Sequence, residues 1–166
     1  EGPGSVTVDC GSSEGICSRD NATGLILDGL TIVNPGGCGL RLGEYGPAPD
    51  SIIRNCTFLG ITAAIELRSP NCTFENNVIK NSTGSECSII LWGADGTKIL
   101  NNLFIDNKAG LWQYQTANTL IAGNNFTRNG CAIVFYDETD AGTGTTFSQN
   151  TFLDNTVTCG KLWGWG

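Results

Sequence analysis

Three stretches of this chain repeat one pattern: LNNLFIDN (100–107), AGNNFTRN (122–129) and SQNTFLDN (148–155). Each carries an Asn, a Phe two residues on, and a second Asn three residues after that. NNVIKN (76–81) is a shortened copy, RNCTFLG (54–60) a degenerate one, and DGLTIVN (28–34) the earliest relative. The apolar anchors are Ile32, Phe58, Ile79, Phe104, Phe126 and Phe152, spaced by 26, 21, 25, 22 and 26 residues. A self-similar period of roughly 20–50 residues marks a solenoid or array. A mean period of 24 is too long for a hairpin. It suits a coil of three short strands per turn.

Each repeat has two further parts. An alternating strand precedes the anchor: LILDG, SIIRN, CTFEN, TKILN, TLIAG and TTFSQ. A second strand follows it: GLRL (39–42), AIEL (64–67), SIILW (88–92), GLWQY (110–114), AIVFY (132–136) and GKLW (160–163). Period-2 alternation gives every strand an inward and an outward face. Stacked turns place equivalent residues about 4.8 Å apart. One expected inward column is Leu27, Ile53, Phe74, Ile99, Ile121 and Phe147. A second is Leu40, Ile65, Ile89, Leu111 and Ile133, interrupted by Lys161. A third is Leu42, Leu67, Leu91, Gln113, Phe135 and Trp163. Asn77, Asn102, Asn124 and Asn150 form one amide column, and Asn107, Asn129 and Asn155 another. Stacked amides bond along the axis, and Asn tolerates left-handed turns. The expected fold is all-β: a single-stranded parallel β-helix of about seven turns, one domain over 1–166, whose right hand is implied by the resemblance that follows.

These repeats and paired strands resemble the right-handed parallel β-helices of the pectin-lyase-like superfamily. VTVDCGSSEG (6–15) followed by GLILDGLTIVN (24–34) is similar to the opening turns of many such repeats. The resemblance covers nearly the whole chain and implies the fold. It leaves function open among lyases, hydrolases, esterases, adhesins and structural proteins. Polygalacturonase-like sites require Asn-Thr-Asp, Asp-Asp, Gly-His-Gly and Arg-Ile-Lys motifs, none of which occurs. Pectate-lyase-like sites need a carboxylate cluster for calcium with an Arg or Lys base. The nearest set is Glu44, Glu66 and Arg68 beside Arg41, with Arg41 and Glu66 expected as a cross-strand ion pair. Pectinesterase-like sites need two Asp, an Arg and Gln; Gln113 and Gln115 are present but no Asp pair faces them. The acidic loop DETD (137–140) offers clustered oxygens for calcium, and a solvated turn is the plainer reading. No catalytic residue or metal ligand set is assigned, and no other cofactor is expected.

Composition narrows function further. With 9 Lys+Arg against 16 Asp+Glu the chain carries −7, a poor match for nucleic acid, whose affinity rests on basic residues. The absence of His removes His-based acid–base catalysis, Ser-His-Asp triads and His-ligated zinc. No Met stands at position 1, so the chain is expected to start after a processing point, with any signal peptide removed. No apolar run reaches the roughly 20 residues of a membrane span. Eight cysteines (Cys10, Cys17, Cys38, Cys56, Cys72, Cys87, Cys131 and Cys159) in a His-free chain read as disulfides. Cys38, Cys87, Cys131 and Cys159 are expected in one column, with Cys131–Cys159 on adjacent turns. Five Asn-x-Ser/Thr sequons at Asn21, Asn55, Asn71, Asn81 and Asn125 read as N-glycan acceptors. Both features place the chain outside the cell or on its surface.

Two contact surfaces are candidates. Trp92, Tyr114 and Tyr136 fall in one outward column with Trp112 beside them, a strip suited to a polysaccharide, a protein or its own ladder. The strand edges at the ends of a β-helix must be covered. Trp163 and Trp165, in KLWGWG (161–166), are candidates for end-to-end self-association into a filament. The leading expectation is a secreted, glycosylated, disulfide-stapled structural solenoid without catalysis; a carbohydrate-binding module or a small polysaccharide lyase is the alternative.

Overall fold

A computed structural model describes residues 6–33, 35–84, 88–136 and 143–159. The chain winds as a parallel β-solenoid with three sheets. The anchor sheet has seven strands, from Val6–Asp9 to Thr151–Leu153; the second sheet has seven, from Ile16–Arg19 to Val157–Cys159; the third has six, from Ile26–Asp28 to Thr146–Ser148. Every pairing is parallel and joins a strand to its equivalent one turn away. The described residues complete six turns and begin a seventh.

The expected columns hold. Ile32, Phe58, Ile79, Phe104, Phe126 and Phe152 stand in register, as do Leu27, Ile53, Phe74, Ile99, Ile121 and Phe147. Nearly all are fully buried between the ends, whereas Phe147, in the last described turn of the third sheet, is 43 % exposed. Leu40, Ile65, Ile89, Leu111 and Ile133 form the second-sheet column. Its next member is Cys159, in the last described strand, Val157–Cys159, where the sequence pattern put Lys161. Lys161, Trp163 and Trp165 lie outside the described residues.

Corners are set by left-handed residues. Between third-sheet and anchor strands, Gly29, Asn55, Asn76, Asn101, Gly123 and Gln149 all have φ between 54° and 70°. Such angles cost most residues 1–2 kcal/mol and Gly or Asn least, hence the recurring Asn-Asn and Gly-Asn pairs. The second Asn of each pair turns inward. Asn102 donates through Nδ2 to Phe74 O (2.9 Å) and to Asn124 Oδ1 (3.0 Å). Its own Oδ1 receives the Asn77 backbone N–H (2.9 Å) and Nδ2 (3.1 Å). Asn124 and Asn150 repeat this arrangement, and Asn107, Asn129 and Asn155 line the next corner. The inward asparagines thus satisfy one another along the coil.

Disulfide stapling is not what holds the described turns. Cys131 stands opposite Val157, and Cys159 opposite Ile133, so the expected Cys131–Cys159 neighbours are out of register. The displaced last strand is the reason. Cys10, Cys17, Cys38, Cys56 and Cys72 are thiols. Cys56 and Cys72 are buried and donate to Arg54 O (3.1 Å) and Ser69 O (3.3 Å). Cys87 lies outside the described residues.

Candidate functional site

Loop length varies around one sheet only. The corner between third-sheet and anchor strands holds one or two residues in each turn. The corners that flank the second sheet hold three to eight residues on one side and five to nine on the other. In solenoids such insertions gather around a binding face. The outer surface of the second sheet is therefore the candidate site.

Its floor is one outward column: Arg41, Glu66, Ile90, Trp112 and Val134, paired in register on successive turns. Outward residues of a bare sheet face water, yet Glu66 is only 8 % exposed and Ile90 6 %. Ile90, Ala64 and Ala109 form an apolar cluster separate from the main core, with Trp112, Cys131 and Val134 packed on it. The sequence strip marks Trp112 and Trp92 but gives no sign of this second cluster, because burial of outward residues depends on the neighbouring loops.

Charge gathers on the early turns. Arg41 binds Glu44 (2.7 Å), Glu14 (3.0 Å) and Glu66 (3.4 Å) and donates through Nη2 to Cys38 Sγ (2.9 Å). Cys38 in turn donates to Glu66 Oε1 (3.1 Å), and Cys17 to Glu14 Oε2 (3.2 Å). Arg68 closes on Glu66 (2.7 Å) and lies 4.7 Å over the Trp92 ring. The expected Arg41–Glu66 cross-strand pair is present, and Glu44 and Arg68 join it. Burial disfavours the Arg41 charge, but Cys38, Glu66 and Glu14 outweigh it and keep the guanidinium protonated.

The outward aromatic column follows the expected register, with Trp92 opposite Tyr114 and Tyr114 opposite Tyr136. Trp92 is 45 % exposed. Its ring meets Tyr114 edge-on at 4.9 Å and carries Arg68 on a face. Trp92 therefore packs against Tyr114 and Arg68 while the rest of its ring faces solvent. All five sequon asparagines are exposed, with Asn55, Asn71 and Asn81 at left-handed corners. The loop DETD (137–140) lies outside the described residues.

The thiols make a measurable prediction. Burial, reinforced by Glu66, pushes Cys38 up to about 11 from an ordinary 9.0, and burial does the same to Cys72. A thiol whose pKa is raised by folding contributes stability that is complete below its unfolded pKa and lost as pH rises through the folded value. The urea midpoint is therefore expected to hold up to pH 9 and to fall between pH 9 and 11. At neutral pH, Cys38 and Cys72 are expected to react with a thiol reagent only as the chain unfolds. Rapid labelling of either in the native protein would contradict this.

No curated protein and no solved structure matches the chain. A family model described as periplasmic copper-binding protein (NosD) matches residues 10–161, nearly the whole length, and the chain belongs to the NosD family.

Proposed function

We propose that this chain is an extracytoplasmic β-solenoid that binds an extended glycan along the outer face of its second sheet, without cleaving it. The observation that carries the reading is the coincidence of buried outward floor residues with loop insertions confined to that sheet's borders. A sheet face that runs along the axis suits a polymer, and the half-buried Trp112 and Tyr114 offer flat apolar contact. The periplasmic description of the family and the exposed sequons support a location outside the cytoplasm.

The family description also names copper, and the residues present do not fit it. The chain has no His and no Met. Among the described residues no three His, Cys, Asp or Glu side chains group as a metal site. Cys38, which bonds Arg41 and Glu66 of the floor, is held protonated by burial and faces a guanidinium, which repels a cation. Calcium meets the same obstacle, since Glu14, Glu44 and Glu66 are all engaged by Arg41. No step of this reading passes through a metal. Nor does a lyase step follow: the candidate base Arg68 is tied to Glu66.

Native affinity electrophoresis against a panel of polysaccharides tests the reading. Trp112→Ala and Tyr114→Ala are each expected to weaken retardation about tenfold while the far-UV spectrum stays solenoidal. Retardation that survives both changes would place the ligand elsewhere.

End-to-end association is a second reading, favoured by exposed apolar members of the inward columns at both ends: Val6 (60 %) on the first described turn and Phe147 (43 %) on the last described turn of its sheet. Among the described residues their strands pair on one side only. Under this reading light scattering shows concentration-dependent oligomers that Val6→Lys abolishes. A wild-type monomer at every concentration would end it.

A further inference from the structure

We infer that Asn21 is an N-glycosylation site whose sugar is transferred to the folded chain, and that the fold withholds the other four sequons. All five sequon asparagines are exposed, so exposure of the acceptor does not separate them. The tripeptides do. A transferase needs room around the Asn amide and around the hydroxyl two residues on, so the segment must lift from the body of the protein. In four sequons the middle residue is buried: Cys56, Cys72, Ser82 and Phe126. Lifting the segment carries that side chain into water, which for Phe126 exposes a fully buried ring. The backbones are pinned as well. The N–H groups of Asn55, Asn71, Asn81 and Asn125 donate to Glu75 O, Asp95 O, Ile105 O and Asn102 O of neighbouring turns. Two of the side chains are engaged: Asn55 Nδ2 donates to Asp28 Oδ1 (2.8 Å), and Asn125 Oδ1 accepts the Thr127 hydroxyl (2.6 Å).

Asn21-Ala22-Thr23 differs on each of these points. Asn21 and Thr23 are exposed, and Ala22 is only half-buried. Among the described residues, neither the N–H nor the side chain of Asn21 is hydrogen-bonded, and the Thr23 hydroxyl has no partner. The Ala22 N–H ties the tripeptide to the body through Asp20 O and Pro47 O, both at 3.1 Å. The amide is therefore free to turn, and the hydroxyl is open. The segment follows Ile16–Arg19, the first strand of the second sheet, whereas Trp112 stands on the fifth, Ala109–Tyr114. A sugar on Asn21 thus leaves the proposed ligand contacts uncovered, and the two readings stand independently. The transfer itself is a substitution at carbon. Asn21 Nδ2 attacks the anomeric carbon of a sugar carried on a lipid pyrophosphate. The N–C bond forms as the C–O bond to phosphate breaks, the pyrophosphate leaves with that electron pair, and Nδ2 gives up one proton to a base of the transferase.

The experiment has two arms, both read by intact mass and glycopeptide mapping. In the first, the whole chain is purified from its own source. Sugar on Asn21 and bare asparagine at the other four sequons is the expected map. In the second, the folded, unmodified chain is incubated with an oligosaccharyltransferase that recognises Asn-x-Thr and a lipid-pyrophosphate-linked oligosaccharide, beside synthetic peptides carrying each of the five sequons. The peptides are expected to accept sugar at all five, whereas the folded chain gains a single glycan, on Asn21. Asn21→Gln is expected to remove that adduct and leave the far-UV spectrum solenoidal. Sugar on Asn55, Asn71, Asn81 or Asn125 of the folded chain would overturn the inference. So would bare asparagine at all five positions of the source protein, or refusal of the Asn21 peptide by the transferase.

Discussion

Asn102→Gly is expected to unfold far below the wild type in urea, and Asn101→Gly at nearly the wild-type midpoint. The two residues are adjacent and identical in type, and the structure gives them different tasks. Asn101 is exposed and turns the corner at φ 54°, an angle Gly adopts freely. Asn102 is 2 % exposed and joins three turns: it donates to Phe74 O and Asn124 Oδ1 and accepts the Asn77 backbone N–H and Nδ2. Removing its side chain strands the Phe74 carbonyl and two donors of Asn77 in a dry interior. At about 1–3 kcal/mol for each buried group left unpaired, the expected cost is on the order of 4 kcal/mol. That is a large share of the 5–15 kcal/mol by which domains are usually stable. The measurement is equilibrium urea unfolding followed by far-UV circular dichroism. Equal midpoints for the two Gly variants would refute the division of tasks.

This ladder was legible in the sequence because the amide pairs recur with the period of the fold. The inward columns were legible for the same reason: one alternating strand shows little, but six in register exclude a one-residue slip, which would turn Phe58, Phe104 and Phe126 to solvent. What was not legible depends on geometry without a period. GKLW (160–163) imitates GLRL and GLWQ, yet the position the pattern gives to Lys161 is taken by Cys159, in the last described strand, Val157–Cys159. The three-residue corner 154–156 matches the corners after Ile105 and Thr127 and places that strand early. The Cys131–Cys159 pairing was lost with it. The candidate site was half legible. Arg41, Glu66, Arg68, Trp92 and Trp112 could be placed on one face, but Glu14 lies on an irregular corner with no alternation to place it, and the expected cysteine column gave no sign that Cys38 bonds Arg41 and Glu66. The burial of Glu66 and Ile90 could not be read from strand pattern, which predicts exposure for outward positions.

The same column logic predicts the cost of emptying the core. Phe126→Ala is expected to destabilise the solenoid by about 3–5 kcal/mol, the range for a buried aromatic cut back to Ala. Its ring is fully buried and stacks at 4.5 Å on Phe104 and 5.3 Å on Phe152, near-parallel in both cases. A Cβ added to Gly110 would come within 3.1 Å of the Phe126 ring, so the ring lies against backbone that carries no side chain. Nothing beneath it can relax into the space, and the cavity term is retained. The column itself tolerates aliphatic members, since Ile79 pairs in register with Phe58 and Phe104. Phe126→Leu should therefore cost only about 1–1.5 kcal/mol. Gly110→Ala should not be rescued in that background, because its Cβ would also clash with the Ala132 carbonyl oxygen. Phe152, only partly buried, provides the control: Phe152→Ala removes an equal side chain where one side is open, and the cost should fall to about half. Solenoid turns are stabilised by their nearest neighbours. An interior Phe126→Ala should thus lower the urea midpoint of the whole coil, while Phe152→Ala frays the last turn. Equal costs at the two positions would mean that the stacked rings are not the element coupling one turn to the next.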